Sequence, residues 1–403
     1  MKYNYKGLDI TNRKRVNGII EADDEKEAMI LLRNKGINVT YLKRDWKSIE
    51  IKFRREKIKI YDTAVASRQL AAMIGAGLPL ARALEILSGQ VTNRKLRSVF
   101  KDVAEQIAGG TSFNEALLKH KEHFGDLYIS MVKSGETSGS LDIILNRLAV
   151  YQEKAVALRR KVKSAVTYPI TVMFFAALIV AIIMVFIVPK LASIYEELGS
   201  KLPFMTQITI NVSNFIASPR GGGIILASIV IFIIVIRYLY KRTVKGRYLI
   251  DAFLLKLPKF GDLIKKVSVA RFSRSMGTLL RSGVPIISAI DITASNSGNK
   301  IIEKYILSTK ADIESGRTLA EPLRQIKMFP PMVVEMVKVG EETGNLDDMF
   351  DKVADYYEDE VDRAVEAATS MILPIFIFIL GIVIGFIVIS LYLPIFQMGD
   401  LVQ

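Results

Sequence analysis

The chain has 403 residues, half of them hydrophobic and 24% charged, with 55 Lys+Arg against 41 Asp+Glu and a net charge of +14. It contains no cysteine and two histidines, which excludes disulfides, thiolate metal sites and cysteine nucleophiles and leaves little for imidazole chemistry. A chain this apolar and this charged keeps the two kinds of residue apart along its length. The surplus then points to nucleic acid, to an anionic membrane, or to basic segments held on one side of a bilayer.

In chain order, residues 1–50 have the pattern of a small α/β module. Tyr3–Leu8 and Gly18–Glu21 are strand-like, Glu25–Lys35 is helical and Asn38–Leu42 is strand-like again. Lys43–Lys59 carries eight cations against three acids and is expected to be a linker beside a membrane, with 51–60 leading into the next domain. The first 60 residues contain no apolar h-region, so no signal peptide is expected and the N-terminus should stay in the cytoplasm.

Helix-period apolar positions recur through 61–166 and 264–370 without alternating β-branched runs, so 61–168 and 241–370 are expected to be two helical domains. Pro79 and Pro285 stand at helix starts, where a missing N–H is tolerated. Ser112-Phe-Asn-Glu115 and Thr318-Leu-Ala-Glu321 match the capping-box pattern. Gly135 and Gly139, and again Gly340 and Gly344, bracket tight turns, after which Ser140 or Asn345 is expected to cap a long helix.

Three stretches are long and apolar enough to cross a bilayer, which takes about 20 residues of helix. Ser164–Pro189 and Ala367–Gly399 contain no charged residue, and Gly221–Ile236 spans if extended to about Tyr240. The expected spans are 169–189, 220–240 and 371–396. The connection 190–219 is a loop outside the membrane and 397–403 a tail on the same side. Lys154, Arg159, Arg160, Lys161 and Lys163 form one acid-free basic cluster, and Arg237, Lys241, Arg242, Lys245 and Arg247 form another. Positive-inside then puts both helical domains in the cytoplasm and the C-terminus outside.

The chain is internally duplicated. Met131-Val-Lys-Ser-Gly-Glu-Thr-Ser-Gly-Ser-Leu-Asp142 aligns with Met336-Val-Lys-Val-Gly-Glu-Glu-Thr-Gly-Asn-Leu-Asp347, identical at eight of twelve positions. The register continues through Tyr151/Tyr356, Pro169/Pro374 and Pro189/Pro394. Two like-oriented copies, each a soluble domain plus a span, need one return crossing, which the middle segment supplies. The fold class is an all-α membrane protein. It has duplicated antiparallel helical bundles, three transmembrane helices and a small N-terminal α/β module.

These residues resemble the inner-membrane platform proteins of type IV pilus machines and type II secretion systems, the F-protein family. The most specific matches are the paired Gly-Glu-x-(Thr/Ser)-Gly turns at 135–139 and 340–344, Ser164-Ala-Val-Thr-Tyr-Pro169, Val188-Pro-Lys190 and Tyr392-Leu-Pro-Ile-Phe-Gln397. The resemblance implies six-helix cytoplasmic domains and a non-enzymatic role. That role is to anchor a hexameric cytoplasmic assembly ATPase and pass its motion to pilin or pseudopilin subunits, beside other inner-membrane assembly proteins. In that family an acid often precedes the proline of the last span; here the residue is Leu373.

Several features carry two meanings. Glu136 and Glu341, with Gly135, Gly139, Gly340 and Gly344, form either a docking surface for the ATPase or tight turns with a solvated carboxylate. Pro169 and Pro374 are candidate hinges where the bundles meet the bilayer; proline in a membrane helix also occurs without any mechanical role. Gly381 and Gly385 form a Gly-x-x-x-Gly face suited to close packing, within the chain or in a homodimer. His120 and His123 lack a third ligand and are expected to be exposed rather than a metal pair. The acidic run with Asp355, Asp359 and Asp362 is a solvated face, or an attractor for a cation or a basic partner.

No P-loop occurs, and the charge-free stretches 164–189, 221–236 and 367–399 hold no internal Asp, Glu, Lys, Arg or His of the kind found in proton relays and ion pathways. No catalytic, cofactor or metal site is therefore expected. A transporter or channel subunit is a remote alternative, and a nucleic-acid partner is not expected. Residues 1–166 hold 31 cations and 19 acids, whereas residues 237–370 hold 21 and 19. The charge surplus thus lies in the first half, where a basic face towards anionic lipid or an acidic partner is expected, and the two copies should bind different things.

Overall fold

A computed structural model describes residues 2–9, 15–22, 24–44, 57–197 and 202–399. Most of the expected basic linker, 43–59, lies outside the described residues. The chain divides into two compact units, residues 1–58 with 93–95, and the remainder.

In the first unit β1 (Lys2–Asp9) pairs antiparallel with β2 (Arg15–Glu21) on one side and β3 (Ile37–Arg44) on the other, giving the order β2-β1-β3. Tyr3 stands opposite Ile20. Helix α1 (Glu25–Asn34) begins where Asp24 Oδ1 accepts the Glu27 N–H at 2.7 Å, an ordinary N-cap. It buries Ala28 and Leu32 against Tyr3, Ile20 and Ala22. The strands and helix expected in this module are all present.

The first helical copy comprises α2 (Ile60–Gly75), α3 (Leu80–Gln90), α4 (Arg94–Ala108), α5 (Phe113–Leu118), α6 (Lys121–Ser138) and α7 (Leu141–Ile182). Their apolar stripes meet in a core containing Leu70, Leu84, Leu87, Phe100, Leu117, Met131 and Leu145. Pro79 precedes the first residue of α3. Ser112 Oγ accepts from the Glu115 N–H at 3.3 Å, as expected. Ser140, expected as a cap, makes no such bond; its hydroxyl lies 2.6 Å from Ser138 Oγ.

Helix α7 runs through Pro169 and continues into a π-helical turn, Ile183–Ile187, and then α8 (Val188–Glu197). The Val188 N–H donates to Ile183 O, the widened register of a π turn. The turn ends two residues before Pro189, whose ring removes a donor and would crowd a carbonyl in a strict α register.

Beyond 198–201, which lie outside the described residues, come α9 (Phe204–Ala217) and α10 (Pro219–Arg242). The segment 190–219, expected as a loop between spans, holds the end of α8 and all of α9. The reason is an apolar cluster: Ile210 on α9 packs with Met184, Val188 and Ala192 and with Ile387 and Leu391 of the last span. Ser213 Oγ donates to Met184 O and Thr206 Oγ1 to Ser390 O, satisfying hydroxyls that an apolar surround would otherwise strand. Helix α10 has Pro219 at its first position and Ser218 as its cap, and of its residues only Gly221 is buried.

The second copy follows α11 (Val244–Lys256). It comprises α12 (Phe260–Arg281), α13 (Ile286–Asn296), α14 (Lys300–Ser308), α15 (Lys310–Glu314), α16 (Ala320–Gln325), α17 (Pro331–Thr343) and α18 (Leu346–Gly399). The counterpart of α4 is broken at Thr309 into α14 and α15, so the second copy departs from a simple six-helix count. Its core includes Phe272, whose ring lies 4.9 Å from Phe329 and 5.7 Å from Phe350.

Among the described residues three helices are long and apolar enough to cross a membrane: Leu141–Ile194, Pro219–Arg242 and Leu346–Pro394. Their apolar windows are almost wholly uncovered by protein, with Phe174, Phe186, Phe232 and Phe378 each more than half exposed. Apolar surface on that scale needs lipid or a partner.

Candidate functional site

The turns that define the duplication are built the same way twice. In the first copy, a Cβ at Gly135 would meet Ile144 Cγ1 at 2.9 Å, so only glycine lets α6 and α7 approach this closely. Gly139 then ends α6 at φ +69, a left-handed cap. In the second copy, a Cβ at Gly340 would lie 3.0 Å from Leu346 Cα, and Gly344 ends α17 at φ +73.

The glutamates have an internal task. Glu136 accepts the backbone N–H groups of Phe113 at 2.5 Å and Asn114 at 2.8 Å. Glu341 does the same for Leu319 at 2.5 Å and Ala320 at 3.1 Å. Each carboxylate caps the short helix before it and fixes it to the next one. This takes the place of the capping box expected at Thr318, since Leu319 is the residue preceding α16 and its N–H goes to Glu341. A carboxylate one turn from a glycine in each repeat was visible in the sequence; its partner, about 22 residues upstream, was not.

Equivalent arginines organise the two copies. Arg68 binds Glu153 through Nη2 at 2.6 Å and Asn146 Oδ1 at 2.8 Å. Arg274 binds the corresponding Glu358 at 2.9 Å and Asp351 at 3.1 Å, and additionally Asp355. The hydrogen bond to Glu153 raises the Arg68 guanidinium above its ordinary value. At Arg274 burial pulls the other way, but Asp355 and Glu358 outweigh it.

The copies meet along α7 and α18. Lys154 lies 2.9 Å from Asp355 and 3.2 Å from Glu358, and Lys161 lies 2.5 Å from Asp362. Ser134 Oγ donates to Ser282 O at 2.5 Å, Arg147 donates to Arg281 O, and Asn296 donates to Tyr151 Oη at 2.6 Å. The acidic run before the last span therefore faces the basic run before the first. Part of the charge asymmetry is thus neutralised between the copies themselves.

Three other expectations change. His120 is not free: its Nε2 lies 2.6 Å from Asp102 Oδ2, and this bond holds the Asp102 carboxyl below its usual value. His123 is 12% exposed rather than solvent-facing. At Gly381 and Gly385 a Cβ would meet nothing within 4 Å, so among the described residues nothing packs closely on those two positions. Pro169 is buried and Pro374 exposed, each inside an uninterrupted helix. Among the described residues no cluster of His, Asp and Glu is arranged to hold a metal ion.

A duplicated helical domain, each copy ending in an apolar helix and joined to the other by a return crossing, defines a class of three-span membrane scaffold. The family model of type II secretion system protein F matches residues 66–189 and again 272–394, reproducing the duplication. The N-terminal domain model of the same protein matches residues 1–43. The chain is 44% identical to type IV pilus assembly protein PilC of Thermus thermophilus, over 98% of this chain and 97% of that protein. It is 40% identical to PilC of Myxococcus xanthus, over 85% and 81%, respectively. Type II secretion system protein F of Xanthomonas campestris is 32% identical over 99% and 98%. The chain belongs to the type II secretion system protein F family.

Proposed function

We propose that this protein is the inner-membrane platform of a type IV pilus assembly machine. It is a scaffold without catalytic activity that couples a hexameric cytoplasmic assembly ATPase to the insertion of pilin subunits. The observation that carries this is the full-length likeness to pilus assembly proteins, stronger in identity than the likeness to secretion proteins. The helical copies, regarded as six-helix domains, lie in the cytoplasm with the N-terminus, and the C-terminus lies outside. The basic clusters at 154–163 and 237–247 support that orientation.

The ATPase docks on the cytoplasmic copies, near the Gly135–Gly139 and Gly340–Gly344 turns. The open Gly381/Gly385 face supports a homodimer through the last span. Pro169 and Pro374 act as hinges at the point where motion passes into the bilayer. Pilin, the other inner-membrane assembly proteins and anionic lipid complete the set of partners.

The equivalent role in type II secretion is the second assignment, favoured by the family model itself. Deleting the gene separates them. Loss of surface pili with unchanged secretion of hydrolases supports the pilus role, whereas loss of secretion with normal pili supports the other. Pro374→Ala should reduce pilus number at normal protein level if the hinge operates.

A further inference from the structure

Where the three apolar helices end on the basic side, their side chains enclose a cavity of about 250 Å³. Val162 of α7, Tyr240 of α10 and Ala368 and Ile372 of α18 form one wall, and Phe260 and Leu263 of α12 form another. These walls are apolar and continue directly onto the spans. One cation stands in them: Arg271 of α12.

Arg271 has no acid. Its neighbour one turn on, Arg274, is bound by three carboxylates. Among the described residues no carboxylate pairs with Arg271, and no acceptor takes any of its N–H groups. Burial pulls its guanidinium below the ordinary arginine value, Tyr151 and Tyr240 oppose this, and Arg159 adds a second positive charge nearby. A guanidinium stays charged under all physiological conditions, so the deficit cannot be relieved by losing a proton. The acid in the same cavity, Asp251, is already engaged: it accepts the Lys300 N–H at 2.8 Å and lies 4.0 Å from Arg247 Nε. Arg247 Nε is itself buried without a hydrogen-bond partner, and the Arg247 guanidinium sits 5.5 Å over the Tyr240 ring.

Gly298 stands directly beside the Arg271 guanidinium. Gly298 lines the cavity at φ +83, and a Cβ there would lie 2.8 Å from Arg271 Nη1. In the first copy the position equivalent to Arg271 is Val65, which is exposed, so the duplication did not supply this group twice.

We propose that this cavity is a binding site for the phosphate of one anionic phospholipid, held by Arg271 with Arg159 and Arg247 beside it, its upper acyl carbons lying on the apolar wall. A soluble anion satisfies the cation but leaves that wall wet; a lipid satisfies both. The ligand joins α7, α10, α12 and α18 where the helical copies leave the membrane, fixing the otherwise uncovered α10 to the rest. The site rests on the three apolar helices crossing a bilayer and is independent of whether the machine builds pili or secretes.

The test uses the full chain purified in mild detergent, with lipid retention read by native mass spectrometry. Wild type should keep one phosphatidylglycerol per protomer against excess phosphatidylcholine. Arg271→Gln should weaken phosphatidylglycerol retention at least tenfold, Arg271→Lys should restore part of it, and the distant Arg82→Gln should change nothing. Equal retention of phosphatidylglycerol by Arg271→Gln overturns the site. Should Arg271→Gln not fold, wild type alone decides: equal retention of phosphatidylcholine, or full displacement by millimolar inorganic phosphate, overturns a lipid ligand.

Discussion

Lys154 Nζ lies 2.9 Å from Asp355 Oδ1 and 3.2 Å from Glu358 Oε2, tying the long helix of the first copy to that of the second. Seven residues on, Lys161 and Asp362 repeat the contact at 2.5 Å. Both pairs are partly exposed, so each contributes modestly, about 0.2–1 kcal/mol. Their value is registration: two helices cannot slide by a turn without breaking both. Charge swapping tests this at the outer pair, away from Arg274. Lys161→Asp and Asp362→Lys should each lower the thermal midpoint in low salt, and the double variant should recover it. High salt should shrink all three effects.

The paired glutamates should behave as structural caps. Glu136→Ala leaves the N–H groups of Phe113 and Asn114 without their acceptor, and Glu341→Ala does the same for Leu319 and Ala320. Each should cost about 1–3 kcal/mol in unfolding experiments. Glu→Gln keeps an acceptor and should cost less. A variant that folds with wild-type stability yet loses the ATPase would instead place the carboxylate on the docking surface.

Glycine replacements should separate two kinds of cost. Gly139→Ala forces a side chain into φ +69, for about 1 kcal/mol. Gly135→Ala, at ordinary helical φ, carries no such strain but drives a methyl against Ile144, where overpacking costs about 1–3 kcal/mol. Differential scanning calorimetry on the two variants should rank Gly135→Ala as the more damaging.

Asp102 gives a pH signature. The hydrogen bond to His120 depresses its folded value, so the stability it confers is complete above the unfolded carboxylate value, about 3.9, and is lost as pH falls through the folded one. Asp102→Asn should flatten the acid limb of the stability curve below about pH 4. It should not alter the shape of the curve near pH 8.

Periodicity and self-similarity made much of this architecture legible. The duplication aligned Gly135 with Gly340 and Glu136 with Glu341, and runs without charge marked all three apolar helices. What stayed hidden was every contact between distant residues. Glu136 looked solvated because its partners are backbone groups of another helix. The acidic face at Asp355 and Asp362 looked open because its cations sit about 200 residues earlier. Helix α9 looked like a loop because its polar residues, Thr206 and Ser213, disguise a face buried against two spans. Gly381 and Gly385 show the opposite case: the sequence marks a packing face, and among the described residues nothing of the chain itself lies within 4 Å of a Cβ there.

The contact between the two copies along α7 and α18 should persist in the membrane-embedded protein. The chain has no cysteine, so an introduced pair is unique. Lys154→Cys with Asp355→Cys, treated in native membranes with a short bis-maleimide, should give a fast intramolecular link and no dimer, while either single variant should give none. A link formed only between chains, or no link at all, would contradict the account.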